Sequence, residues 1–209
     1  MKRCVIAGGA GIRSYERIRQ SLKPDDYFIF CDSGLKHLPA LQVKPDLIVG
    51  DFDSWQQPDT ETETIVLPRE KDDTDSVYAV REAIRRGFGD FLLIGMTGER
   101  FDHTFGNVSI LLYLDELGKT GKILDDYGEM EIVSRGKAEI TDDAAYFSLL
   151  NISGTARDIH ISGAKYPLDG EEIPSSYQYG ISNEVLPGQT ATVSVGEGRL
   201  LLVKVYEAP

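Results

Sequence analysis

Three apolar residues, Leu47, Ile48 and Val49, run into Gly50 and then into Asp51, Phe52 and Asp53. A short, unbroken apolar run suits a strand buried on both faces of a parallel sheet, and acids after a glycine suit the point where that strand leaves the core. If the chain stays extended past Gly50, Asp51 and Asp53 fall on one side, because side chains alternate along a strand. Two carboxylates so close repel each other, so one takes up a proton or a cation sits between them. A hard divalent ion such as Mg²⁺ suits oxygen ligands and brings phosphates with it. The same residues also suit an ordinary Asp-rich turn. A second acidic cluster downstream, Asp72, Asp73 and Asp75, tips the reading towards the metal.

The pattern of apolar run and polar corner recurs along the first half. Residues 3–7 lead into Gly8, Gly9, Ala10 and Gly11, and helical spacing follows over residues 13–22. A strand, a glycine turn and a helix form half of an α/β unit, whose backbone N–H groups can approach a phosphate. Neither the full dinucleotide fingerprint nor a P-loop is present, so a plain tight turn fits these glycines as well. Residues 27–31 form the next strand, ending at Asp32, and a short helix spans residues 35–41. After a strand at 64–67, Thr74 or Asp73 caps a helix with the apolar stripe Val77, Val80, Ala83 and Ile84. Arg85 and Arg86 close it before Gly87, as helix polarity favours. One of the three acids serves that helix start; three exceed what a cap needs. Lys71 beside them can meet a phosphate oxygen. Residues 90–96 are a further strand, and Phe101, Phe105, Val108 and Leu112 predict the inward stripe of a helix ended by Gly118. Arg100, Asp102 and His103 then stand at a strand-to-helix corner. Open parallel sheets gather ligands at such carboxyl ends. Taken singly, His103 fits a structural role and Arg100 a solvated charge.

From about residue 121 the pattern changes. Strands at 122–124, 130–133, 138–140, 146–152, 158–162, 189–195 and 199–206 follow one another without helices, while 162–170 and 179–185 read as loops. The expected fold is therefore an α/β half, a mostly parallel sheet flanked by helices over residues 1–124, then an antiparallel β-sandwich over residues 125–209. A net charge of -12 leaves no basic face for nucleic acid. No segment approaches the roughly 20 apolar residues of a membrane span. The apolar run near the start is too short for a signal peptide, and Cys4 and Cys31 read as core residues rather than a disulfide. A cytoplasmic protein is expected.

Four motifs in order carry a resemblance: VGDFDS at 49–54, EKDDTD at 70–75, GERFDH at 98–103, and the pair AKYPL at 164–168 with GISN at 180–183. Jointly they resemble the thiamine pyrophosphokinase family. The resemblance implies transfer of the pyrophosphoryl group of ATP to the hydroxyethyl oxygen of thiamine, with Mg²⁺, giving thiamine diphosphate and AMP. It implies a homodimer with each active site between subunits, an ATP- and Mg²⁺-binding catalytic domain at 1–124, and a thiamine-binding and dimerisation domain at 125–209. Asp51, Asp53 and Asp75 match the family's metal-ligand positions, and Asp32 a further acidic position there. Lys71 and Thr74 fall near the phosphates, and Gly8, Gly9, Arg100 and His103 join them in the ATP site. Arg100 and Asp102 match an active-site motif, and Asp75 or Asp102 could accept the hydroxyl proton. Ser182 and Asn183 match the thiamine-binding loop. The family often has two adjacent glycines after the early acid, where this chain has Ser33 and Gly34. Two other readings compete. A D-x-D nucleotide-sugar transferase leaves EKDDTD and GISN unexplained, and a non-catalytic nucleotide or thiamine sensor need not keep every acidic motif.

Overall fold

Cys4–Ala7 (β1) is buried at every position because it lies in the middle of a parallel sheet. The computed structural model describes residues 2–53, 56, 58–70, 72–98, 100–152 and 154–206. β1 pairs on one side with β2 (Tyr27–Cys31) and on the other with β5 (Asp90–Ile94). β3 (Leu47–Gly50) and β4 (Thr64–Val66) extend the sheet beyond β2, and β6 (Thr120–Leu124) extends it beyond β5. The chain thus winds outward from β1 to β4, then returns to add β5 and β6 on the opposite side. The reversal leaves a switch point between β1 and β5, where the crevice of such a sheet opens.

Both faces of this sheet are covered, which is why its strands are apolar without alternation. On one face Ile18 of α1 (Glu16–Ser21) and Leu41 of α2 (Leu38–Leu41) pack with Val5, Phe28, Phe30 and Ile94. α3 (Asp75–Arg85) lies against β1, β2 and β3, and α4 (Phe101–Glu116) against β6. Cys4 and Cys31 are buried free thiols.

Four details depart from expectation. α1 is shorter than the 13–22 spacing suggested. The helix expected at 35–41 starts earlier, as a 3-10 helix over Asp32–His37, because Asp32 turns sharply with a left-handed φ of 39°. In α4, Phe101 and Phe105 are 79% and 71% exposed, and the core is met instead by Ile110, Leu111 and Leu114 on another side of the helix. β6 is parallel to β5 and so completes the α/β sheet rather than opening the antiparallel series.

Residues 127–209 form a second compact unit after residues 1–126. β7 (Gly128–Val133), β9 (Tyr146–Asn151) and β13 (Leu200–Val205) pair antiparallel with β13 in the middle. β8 (Lys137–Thr141), β10 (Thr155–Ser162), β11 (Leu168–Pro174) and β12 (Thr190–Glu197) make the other antiparallel sheet, in the order β11-β10-β12-β8. Phe147, Leu149 and Leu202 from the first meet Ile159, Ile161 and Val193 from the second in one core, giving a sandwich. β11 begins within residues 162–170, which read as a loop, and runs on through residues for which no element was expected. Among the described residues it is an edge strand paired with β10 alone, and its polar LDGEEIP sequence carries no apolar alternation to betray it.

Candidate active site

The carboxyl ends of the parallel strands open into a crevice of about 520 Å³ within the first unit. That is within the roughly 300–1,000 Å³ of small-molecule sites. Its walls come from successive corners: Gly8, Gly9 and Ala10 after β1, Asp32 and Ser33 after β2, Asp51 and Asp53 after β3, Thr74 to Ser76 at the start of α3, and Gly95 to Gly98 after β5. Arg100, His103, Thr104 and Asn107 from α4 and its approach complete it.

Asp32, Asp51 and Asp75 converge here, each offering a carboxylate oxygen within 4.8 Å of the others. Each arrives for its own local reason. Asp32 is buried at the sharp turn after β2. Gly50 lets β3 press against that turn: a Cβ there would lie 3.0 Å from the Asp32 Cβ and 3.1 Å from its Cα. Asp75 opens α3, whose N-cap Thr74 accepts a hydrogen bond from Val77 N at 3.3 Å. A helix N-terminus favours a carboxylate placed there. Three hard oxygen donors so close suit a divalent ion such as Mg²⁺.

Asp53 departs from the expected alternation. Phe52 takes a φ of 53°, so the chain does not stay extended, and Asp53 N donates to Asp51 Oδ1 at 3.3 Å. Asp53 lines the crevice, exposed, outside the group formed by the other three. The turn reading of D-x-D describes this corner, and of the two aspartates Asp51 joins the group of three. Asp73 pairs with Arg81 on the surface, serving the helix. Lys71 lies outside the described residues.

Arg100 and Asp102 form a two-point ion pair, with Nη2–Oδ2 at 2.5 Å and Nε–Oδ1 at 3.2 Å. The Arg100 hydrogen bonds hold the Asp102 carboxyl down at about 2, which makes it a weak base. Ser33, noted in the sequence as a departure after Asp32, and two residues the sequence did not single out, Thr97 and Asn107, also shape the crevice. Ser33 Oγ stands 2.0 Å from where a Cβ on Gly9 would lie, so the serine that replaces the family's glycine fits into the space Gly9 leaves. Thr97 is held by the buried Asp125, and Asn107 Nδ2 donates to Met96 O at 2.8 Å. Thr97 and Asn107 give no local signal in the sequence.

In the second unit, Asn183 ties two loops together. Its backbone exchanges hydrogen bonds with Phe147 at 2.8 and 2.9 Å. Its Oδ1 accepts from Tyr166 N at 3.0 Å and its Nδ2 donates to Tyr166 O at 2.8 Å. The GISN and AKYPL motifs are thus joined through one buried carboxamide. Ser182, beside it, is exposed with a φ of 58°.

An open parallel sheet with a glycine-walled crevice at its switch point and converging carboxylates beside it suits the class of enzymes that bind and transfer phosphate-containing groups. The chain matches the family model "Thiamin pyrophosphokinase, catalytic domain" over residues 18–122 and "Thiamin pyrophosphokinase, vitamin B1 binding domain" over residues 133–200. It belongs to the thiamin pyrophosphokinase family and is an enzyme of that family. A thiamine pyrophosphokinase of Bacillus subtilis (strain 168) is 26% identical over 185 residues, covering 85% of this chain and 86% of that protein. The crystal structure of thiamin pyrophosphokinase from Geobacillus thermodenitrificans is 27% identical with a TM-score of 0.83, covering 100% of this chain and 99% of that one. The Candida albicans enzyme shares the fold at a TM-score of 0.73 and 15% identity, over 98% of this chain and 89% of that one.

Proposed function

We propose that the chain transfers the pyrophosphoryl group of ATP to the hydroxyethyl oxygen of thiamine, releasing AMP. The observation that carries this reading is the convergence of Asp32, Asp51 and Asp75 beside the glycine turns of the switch point. These three would hold Mg²⁺, with Asp53 next to them, and the ion would supply positive charge for the phosphate oxygens. Phosphoryl transfer asks a protein chiefly for positioning and charge neutralisation. Gly8, Gly9 and Thr74 would bed the nucleotide, with His103 at the crevice edge. Arg100, oriented by Asp102, would offset charge on the departing AMP, and Lys71 would act on the same phosphates. Asp102 keeps the guanidinium in place, and that pairing holds its carboxyl low. Thiamine is a cation, and an acidic protein favours its approach. Ser182 and the loops joined by Asn183 would bind it. The reading includes a cytoplasmic homodimer with active sites shared between subunits.

The test is to incubate purified protein with ATP, Mg²⁺ and thiamine and to separate the products. Equal amounts of thiamine diphosphate and AMP are expected. ADP with thiamine monophosphate would overturn the transfer of a whole pyrophosphoryl group. Binding of ATP without any product would favour a sensor. Sedimentation at micromolar concentration checks the dimer.

A further inference from the structure

The 3-10 helix that begins with Asp32 ends with His37, which is only 1% exposed. The Tyr15 hydroxyl lies 2.7 Å from its Nδ1, and the two rings are 5.8 Å apart. On the other side of the ring, Nε2 is buried and has no hydrogen-bond partner among the described residues. It is aimed at the switch point: a Cβ on Gly95 would lie 3.0 Å from Nε2 and 2.6 Å from the Gly8 carbonyl oxygen. The backbone carbonyls of Gly8 and Ala10 lie near enough to act on the ring as hydrogen-bond acceptors and raise its pKa, yet neither makes a fully formed bond to Nε2. Gly8, Ala10 and Gly95 all line the crevice.

Burial, and then the charge of Lys36, hold the imidazole below its usual pKa, so the ring is neutral and carries a single N–H. If Tyr15 donates to Nδ1, that proton sits on Nε2 and faces the carbonyls. The other tautomer would set a lone pair against the Gly8 oxygen. A buried donor left without a partner is costly, and folded proteins rarely keep one without a use.

We propose that His37 is a positioning residue for nucleotide binding. Its Nε2–H is a donor kept for the carbonyl of Gly8 or Ala10, and the bond closes when the nucleotide draws the glycine turn into its bound form. That bond turns the carbonyl edge of the turn inward and leaves its N–H edge to the ligand. Lys36 Nζ already donates to the Gly9 carbonyl, so one short helix holds the glycine turn and, through Asp32, one corner of the carboxylate cluster. The proposal rests on the crevice being the ATP site.

Three variants test it: His37→Leu, His37→Gln and Tyr15→Phe. ATP affinity is measured by titration without thiamine, alongside KM for each substrate, kcat and Tm. His37→Leu should weaken ATP binding about tenfold and Tyr15→Phe about threefold, the scale of one hydrogen bond. His37→Gln, whose amide can donate in place of Nε2–H, should restore most of the loss. The thiamine KM and kcat should stay within about twofold of the parent, since the bond serves the nucleotide alone. A lower Tm with unchanged ATP affinity would make His37 a packing residue and overturn the proposal. If His37→Leu does not fold, Tyr15→Phe decides, because Tyr15 is only half-buried. Parent protein that binds ATP but forms no thiamine diphosphate would overturn the proposed reaction while the affinity comparison still judges His37. Parent protein that fails to bind ATP would overturn both.

Discussion

Phe52 turns through a φ of 53°, and that one rotation separates Asp51, which joins Asp32 and Asp75, from Asp53, whose N–H answers the Asp51 carboxylate. Asp51→Asn keeps the shape of the side chain and removes its charge. Turnover at saturating Mg²⁺ should fall by about a hundredfold or more, as when a group stabilising transition-state charge is lost, with Tm little changed; near-normal turnover would remove Asp51 from the metal site. Gly50→Ala probes the same corner from the backbone. Gly50 does not sit at positive φ, so alanine costs little there conformationally, but its Cβ would meet Asp32 at 3.0–3.2 Å. Mg²⁺ affinity should drop about tenfold if the acids part, the effect of roughly 1.4 kcal/mol; an unchanged Mg²⁺ titration would show that the cluster tolerates the shift. Asp51 and Asp75 were legible because each ends or begins an element whose periodicity is plain. The separation of Asp53 was not, because nothing local in Gly-Asp-Phe-Asp announces a left-handed phenylalanine. His37 was invisible for another reason: its significance lies in Gly8, Ala10 and Gly95, all distant in sequence.

At the scale of the element, α3 has two working ends. Its first turn delivers Asp75 to the crevice, and its last turn anchors the helix to the sheet edge. There Glu82, 7% exposed, accepts from Arg85 at 2.6 and 2.7 Å and from Arg86 at 2.7 Å. Arg86 reaches on to Glu63 at 2.5 and 2.9 Å and to the Tyr27 hydroxyl at 2.9 Å. The Arg85 hydrogen bond first, and then Arg86, hold the Glu82 carboxyl down from 4.5 to about 2. A lowered folded-state pKa stabilises above the unfolded value, so this contribution is whole above about pH 4.5 and fades as pH falls towards 2. With solvent reaching Arg85, about 1–2 kcal/mol is at stake. Urea midpoints measured across that window should fall less steeply in Glu82→Gln than in the parent; parallel curves would show that the pair contributes nothing. The stripe of α3 was readable from its spacing, with Val80 and Ala83 buried as expected. The stripe of α4 was not, because Phe101 and Phe105 copy an inward face while standing in solvent. β11 escaped because edge strands need satisfy only one neighbour.

At the scale of the whole molecule, the change from alternating helices and strands to strands alone was legible in the order of apolar runs and turns. The membership of β6 was half legible: the boundary after residue 124 kept it in the first half, while its run was read with the strands that follow, because a lone strand after a helix looks the same whichever sheet it joins. The carboxylate cluster also links ligand to stability. An ion that binds only the folded first unit stabilises it by mass action, about 2.7 kcal/mol at a hundredfold over its Kd. Mg²⁺ should therefore raise Tm by about 5–10 °C, given the usual 2–4 °C per kcal/mol at this size. Chelator should reverse the rise and Asp51→Asn should abolish it; an Asp51→Asn protein with the full rise would locate the ion elsewhere. The winding of the parallel sheet has one more consequence, for biosynthesis. β1 leaves the ribosome well ahead of β5, yet its pairing along one edge waits for that strand, whose first residue is Asp90. At about 5–20 residues per second, that is a delay of several seconds in which a wholly apolar strand lacks half its neighbours. A nascent chain arrested before β5 should then be a chaperone client, and clipping the first strand from the finished protein would remove the seam along which both wings of the sheet are joined.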